Sequence, residues 1–289
     1  MEKYLKNIKT ILLLALVASS AVVWYAVLYY ESRQDLMVTF FDIGQGDAIF
    51  IEVPGGNQVL IDGGPNDAIL AKLGRVLPFW DRTVDLLILT HPHADHLAGL
   101  LEVLKRYEVG MVMESGVNHS IAEYKEWRSI LQKKAVPVVI AKTGQKVRLS
   151  RSSYIDVFTP FESFEGESPK NIHEATVVSK LVYASTTVLL MGDAERSIEY
   201  RLLFSGIDID ADILKVGHHG SKTSTSEEFL AAVSPRIAVI QSGKKNRFGH
   251  PYQEVLERLK AIGAEILRND LRGDIQLKSD GVSFILSTR

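Results

Sequence analysis

Residues 86–100 read LLILTHPHADHLAGL: an apolar run stops at Thr90, and four side chains able to bind a metal ion, His91, His93, Asp95 and His96, follow within six residues. An unbroken apolar run of this kind predicts a strand buried on both faces, and the pattern after it turns helical. A turn at the end of such a strand aims several side chains into one cleft, while strand and helix hold them rigid. Three of the chain's eight histidines fall in these six positions, a density that argues against solvated turn residues. The chain has no cysteine, so any metal must be held by nitrogen and oxygen donors. His91 and His93, two apart, suit one ion, whereas Asp95 and His96 point differently and suit a second. Imidazole with carboxylate favours Zn²⁺, and a carboxylate-rich version of the same set favours Mn²⁺.

The surrounding pattern is α/β. From Leu36 onward, MVTFFDI, AIFIEV and QVLIDGG are short β-rich runs separated by glycine turns, which predicts an opening antiparallel meander. A helix over 68–77, a strand over 84–90, a helix over 97–107, strand VGMVMES, a helix over 121–134 and strand VPVVIA follow. The second half alternates likewise, with strands near 154–158, 177–183 and 187–191, a helix over 195–204 and a strand over 213–216. A helix over 227–233, a strand over 237–241, a helix over 252–262 and three closing strands complete it. Two mixed sheets with helices outside use this order well. Residues 161–170, rich in Glu, Ser, Gly and Pro, read as a loop over one edge. No internal repeat divides the stretch, so residues 36–289 read as one domain.

Before that domain, residues 11–30 carry no charge, the length a helix needs to cross about 30 Å of hydrocarbon. Trp24, Tyr25, Tyr29 and Tyr30 crowd its second half like an interfacial belt. Lys3, Lys6 and Lys9 precede it in a tail over 1–10, and Glu31, Arg33 and Asp35 follow in a linker over 31–35. The positive-inside rule then keeps the N-terminus cytoplasmic and places a single-pass, membrane-anchored domain outside. A cleavable signal peptide, with an h-region over 11–17 and small residues over 18–21, is the competing reading, although the apolar run continues past any cleavage point. The net charge of −2 gives no overall basic bias, so any nucleic-acid reading must rest on local residues.

HPHADH resembles the HxHxDH signature of the metallo-β-lactamase superfamily, which implies an αββα sandwich after the one transmembrane helix. More specifically, FDIGQGDAIFIE, LIDGG, LMGD, LKVGHHGS and GHP occur in the order seen in the hydrolase domain of ComEC-type DNA-uptake proteins, from about Val38 to Ile262. The resemblance implies two divalent ions, Zn²⁺ or Mn²⁺, with His91 and His93 on one, Asp95 and His96 on the other, and Asp193 bridging. Read alone, Asp193 also fits a helix N-cap. By the same resemblance, His218 or His219 either binds metal or donates a proton to the leaving group, and His250 completes the second metal. The family's further histidine for the first metal has two candidates here in NIHEAT, Asn171 and His173. Asp95 or Asp193 would orient the attacking water.

Four further groups stand near these motifs. Gln45 and Asp47 lie in a glycine turn and either contact substrate or support the site, and Asp62 favours support. Ser221 and Lys222 with Thr223 and Ser224, and Asn246 among Lys244, Lys245 and Arg247, are hydroxyl-rich or basic clusters that either grip phosphates or are solvated loop residues. The resemblance implies a phosphodiesterase or nuclease, with single-stranded DNA or another phosphodiester as partner. The family's long polytopic channel is not in this sequence, so the expectation divides between a separate channel subunit and a different substrate. Hydrolysis of another ester, thioester or amide, and a metal-stabilised binding module, are the competing functions.

Overall fold

The computed structural model describes residues 2–31 and 35–287. Residues 32–34, with Arg33 of the expected linker, and the side chains of Lys3, Lys6, Tyr29, Tyr30 and Glu31 lie outside that description.

Helix α1 (Glu2–Glu31) contains an apolar stretch, Asn7–Leu28, none of it buried against protein and long enough to cross a membrane. The domain opens with the expected meander, β1 (Leu36–Phe40), β2 (Ile49–Glu52) and β3 (Gln58–Ile61), each antiparallel to the last. Then come α2 (Ala68–Val76), β4 (Thr83–Leu89), α3 (Ala94–Arg106), β5 (Glu108–Glu114), α4 (Ala122–Lys134) and β6 (Val138–Ile140), with β3 to β6 parallel. The second half runs β7 (Lys146–Arg148), β8 (Ser153–Val157), β9 (Ser179–Tyr183), β10 (Thr186–Leu190), α5 (Arg196–Phe204), β11 (Ile213–Lys215), α6 (Glu227–Val233) and β12 (Ile237–Ile240). It closes with α7 (Gln253–Ala261), β13 (Glu265–Arg268), α8 (Asn269–Arg272), β14 (Ile275–Ser279) and β15 (Phe284–Leu286).

Among the described residues these strands form two mixed sheets, ordered β15-β14-β1-β2-β3-β4-β5-β6 and β13-β12-β11-β10-β9-β8-β7. Strand alternation fixes the layers. In β4, Leu86 and Ile88 meet the facing sheet with Ile61, Val188, Leu190 and Val239, whereas Leu87 and Leu89 pack under α2, α3 and α4 with Leu73, Leu100 and Trp127. From Leu86 to Leu89 both faces of β4 are thus dry, which is why that stretch is unbroken apolar sequence, whereas Thr83 and Asp85 at its start are exposed. The second sheet packs its outer face on α5, α6 and α7 through Leu189, Leu202, Leu214, Phe229, Leu230 and Val255. The result is the expected αββα sandwich.

Several short elements, α8 among them, were not expected, and two differences have a clear physical cause. Helix α3 begins at Ala94, three residues early, so Asp95 and His96 ride on its first turn rather than in the preceding loop. An aspartate there is favoured by the helix dipole, and the apolar pattern does not register it. Strand β7 escaped notice because Lys146 and Arg148 make a three-residue charged edge strand.

Candidate metal centre

The carboxyl ends of β4, β10, β11 and β12 meet at one mouth of the sandwich, as parallel neighbours must, and their loops bring the predicted ligands together. Asp62, just past β3, fixes the first loop. Its carboxylate accepts the Thr90 amide at 2.8 Å, the Thr90 hydroxyl at 2.7 Å and His96 Nδ1–H at 2.7 Å. Asp62 has φ 56°, a left-handed conformation that these three bonds over-determine. Gly46 presses on the helix that follows, where any Cβ would stand 2.0 Å from the Asp95 carbonyl oxygen.

Four of the imidazoles, those of His91, His96, His173 and His219, share one orientation, whereas His93 turns its Nδ1 to within 3.0 Å of His91 Nε2. The hydroxyl of Thr90 is already committed to Asp62, so its oxygen accepts His91 Nδ1–H at 3.1 Å. His219 Nδ1–H donates to the Gln241 carbonyl at 2.9 Å, and His173 Nδ1–H to the Asp193 carbonyl at 3.2 Å. In each of these four rings the protein holds Nδ1 and leaves Nε2 to the centre, the arrangement by which supporting bonds set a ligand's tautomer. His91 Nε2 and His96 Nε2 lie 3.7 and 3.4 Å from Asp193 Oδ2, and His219 Nε2 lies 3.5 Å from Asp193 Oδ1 and 3.6 Å from Asp95 Oδ2. Two donors each about 2.1 Å from a tetrahedral Zn²⁺ stand about 3.4 Å apart, so the spacing already suits shared cations.

Four overlapping donor groups emerge among the described residues, each with its donor atoms within 4.8 Å of one another: His91, His93, His173 and Asp193; Asp95, His96 and His219; and, sharing members with these, His173, Glu195 and His218, and Asp47, His96 and Asp193. The first two divide the predicted ligands, His250 apart, between them. Asp193, almost wholly buried, borders both. His96 Nε2, His219 Nε2 and Asp193 Oδ1 are buried with no hydrogen-bond partner among the described residues. Orphaned buried polar atoms converging on one point are costly in a protein that binds nothing there, and divalent cations would satisfy them.

Electrostatics agree. Burial acts to raise the Asp193 carboxyl, but His219, His96 and His91 outweigh it and hold it well below the carboxylate range. Burial acts to lower His219, yet Asp193 and Asp47 push it up to about 9, and His96 is likewise raised against burial by Asp193, Asp62 and Asp95. Burial lowers His91 strongly and His93 to about 4, with neighbouring imidazoles adding to the effect. Without metal, protonated His96 and His219, together with the buried Lys215 ammonium beside Asp47, supply the positive charge that faces Asp47, Asp62, Asp95 and Asp193.

Residues 41–244 match the metallo-beta-lactamase superfamily, well over half of the chain. The chain belongs to the metallo-beta-lactamase superfamily. Within it, the chain is 32% identical over 275 residues to ComE operon protein 3 of Bacillus subtilis (strain 168), covering 88% of this chain and 34% of that protein. It is 30% identical over 257 residues to Recombination protein 2 of Haemophilus influenzae, covering 85% of this chain and 29% of that protein. The chain thus spans about a third of the length of these curated relatives. Among solved structures, Igni18, a metallo hydrolase of Ignicoccus hospitalis KIN4/I, superposes at TM-score 0.50 and 15% identity, covering 88% of this chain and 99% of that one. The diiron beta-hydroxylase CmlA of Streptomyces venezuelae gives TM-score 0.54 and 15% identity over 82% of this chain and 53% of that one.

The remaining expected residues of this superfamily member take varied places. His218 and His219 both adopt left-handed backbone, φ 46° and 55°, which turns the two rings to different sides. His218 is part-exposed, with Nε2 3.9 Å from Asp193 Oδ2 and Nδ1 3.3 Å from Glu195 Oε1. His250 stands in none of the donor groups, its ring centroid 5.6 Å from His218 and 6.2 Å from His219. Asn171 caps the short helix Ile172–Ala175 and donates to Glu195 at 3.2 Å, so it is His173, not Asn171, that faces the first group.

Asp47 is buried, paired with the ammonium of Lys215 and 3.2 Å from His219 Nδ1, and its carboxylate also lies within 4.8 Å of the His96 and Asp193 donors. Gln45 accepts the Gly243 amide at 3.2 Å, and Asn246 ties together Gly243, Phe248 and His250. Ser221 bonds the Thr223 hydroxyl at 3.0 Å, and Lys222 lies over the Tyr252 ring. Lys215 was missed although a lysine inside the apolar run DILKV is itself a signal. Also missed was a cleft of about 440 Å³ beside His93 and His173, lined by Asn118, His119, Ser120, Ser168, Lys170 and Asn171. Its walls are two loops far apart in sequence, joined by the Gly166 to Gly116 and Asn118 to Glu167 backbone bonds.

Proposed function

We propose that this chain is a two-metal phosphodiesterase acting on nucleic acid, with single-stranded DNA as the preferred polymer. One observation carries the reading: the two donor groups that hold the predicted ligands meet at Asp193, and the cleft that opens from the first of them offers amide, hydroxyl, imidazole and ammonium donors and no carboxylate. A polyanion is the ligand such walls suit. The names of the relatives, Recombination protein 2 among them, point the same way.

His91, His93, His173 and Asp193 would hold one ion and Asp95, His96 and His219 the other, with Zn²⁺ or Mn²⁺ fitting the donor set. Divalent ions bound there activate water and neutralise the phosphoryl charge. Asp95 and Asp193 orient the attacking water. His219 is occupied as a ligand, so proton donation to the leaving oxygen falls to His218, whose Nδ1 is held by Glu195. Burial keeps His218 below the usual imidazole value, and the anionic substrate beside it is what loads it with a proton. The apolar helix anchors the protein with its N-terminus in the cytoplasm and the mouth outside, where a membrane channel subunit is the expected partner.

The full chain supplied with Zn²⁺ or Mn²⁺ is expected to cleave bis(p-nitrophenyl) phosphate and single-stranded DNA, and His93→Ala to abolish both. Opening of a chromogenic lactam or thioester with phosphodiesters left intact would defeat the proposal. Loaded protein inert to every ester would favour a binding module.

A further inference from the structure

The turn between α2 and β4 exposes two large aromatic rings at the end of the domain opposite the metal centre. Phe79 is 83% exposed and stands edge-on to Trp80, with ring centroids 4.8 Å apart. Strand register fixes which end this is. Phe40, Ile49, Ile61 and Ile88 form one row near the mouth, and Met37, Glu52 and Gln58 form the row at the far end. The Gln58 side chain donates to Asp81 at 2.6 Å, which ties the aromatic turn to that far row. The same row is where the chain enters the domain, since β1 begins at Leu36 only five residues beyond the end of α1. Five residues of fully extended chain reach no more than about 18 Å.

A second observation names what lies there. Trp80 packs edge-on against Tyr25 of α1 with ring centroids 6.3 Å apart, and Ala21, Val22, Tyr25 and Ala26 form an apolar groove with Phe79 and Trp80. Tyr25 precedes Leu28, the last residue of the apolar stretch, by three residues. At 1.5 Å per residue that sets Trp80 roughly 4–5 Å inside the end of the span, the depth at which interfacial aromatics settle.

The geometry points to a second membrane attachment: Phe79 and Trp80 insert into the outer interface of the bilayer beside α1 and dock the domain on end, with its mouth facing away. The ligand is phospholipid, whose acyl chains fill the groove and whose headgroups meet the ring edges. This rests on the reading that α1 spans a bilayer. Two attachments side by side remove the swivel that a single helix and a short connector permit. They also hold the metal centre roughly 20 Å from the membrane, the length of the seven-residue β4.

The chain has three tryptophans, Trp24 on the span, Trp80 on the turn and the fully buried Trp127, so depth can be read ring by ring. The full chain would be reconstituted into phosphatidylcholine vesicles brominated either near the headgroup or deep in the acyl chain. Trp24→Phe protein is expected to lose emission to the shallow bromines more than to the deep ones, and that loss is expected to vanish when Trp80→Phe is added. Quenching of the wild type through Trp24 with none in Trp24→Phe overturns the docking while leaving the span intact. Absence of quenching in both overturns the span and the docking together.

Discussion

His96 and His219 show how the centre is charged at the scale of single residues. Each is clamped through Nδ1, by Asp62 and by the Gln241 carbonyl, and each turns Nε2 toward Asp193. In the metal-free protein His219 holds its proton up to about pH 9, because Asp193 and Asp47 outweigh the cost of burial. An arriving cation must displace that proton, so the protonated form is the one that opposes binding. Affinity should therefore rise with pH by about tenfold per unit for each proton released, and level off only above pH 9 instead of near the ordinary 6.5. Calorimetric titration with Zn²⁺ from pH 6.5 to beyond 9 checks this, and a flat profile above neutrality contradicts it. At this scale the sequence was legible in part. Six positions after an apolar strand announce a metal site, but His219 and His250 look alike in the letters. Which ring turns inward depends on the left-handed kink at His218 and His219, a backbone state that histidine tolerates better than most residues and that no spacing rule reveals.

Elements decide how the ligands are carried. Helix α3 bears Asp95 and His96 on its first turn and lies so close to β3 that a Cβ on Gly99 would stand 1.9 Å from the Gly63 carbonyl oxygen. Gly99→Ala should force helix and strand apart at a cost of about 1–3 kcal/mol and weaken the second donor group, lowering metal content as well as melting temperature. Gly74, in α2, has nothing within 4 Å of its would-be Cβ, and Gly74→Ala should leave metal content unchanged and raise stability by about 0.5–1 kcal/mol. Thermal unfolding of the two variants separates close packing from simple helix propensity. The doubly buried end of β4 was readable because nothing polar interrupts Leu86 to Leu89. The start of α3 and the short charged edge β7 were not, since each contradicts the pattern that identifies its kind.

Across the whole molecule the two halves of the sandwich contribute unlike parts. The first sheet supplies His91 and His93 from the loop after β4 and Asp95 and His96 from α3, and the second supplies His173, Asp193 and His219. Neither half holds a complete centre, so the site exists only when the sheets are packed. Two mixed sheets with outer helices followed from element order and the αββα sandwich from the family resemblance, whereas the donor-lined cleft followed from neither, because its walls at 118–120 and 168–173 meet only in three dimensions. The account depends on two cations gathered around Asp193. Metal-free full-length chain, titrated with Mn²⁺ or Zn²⁺ while cleavage of a single-stranded oligonucleotide is followed, should gain activity until two equivalents are bound and no further. Saturation at one equivalent, or no cleavage at any loading, would contradict it.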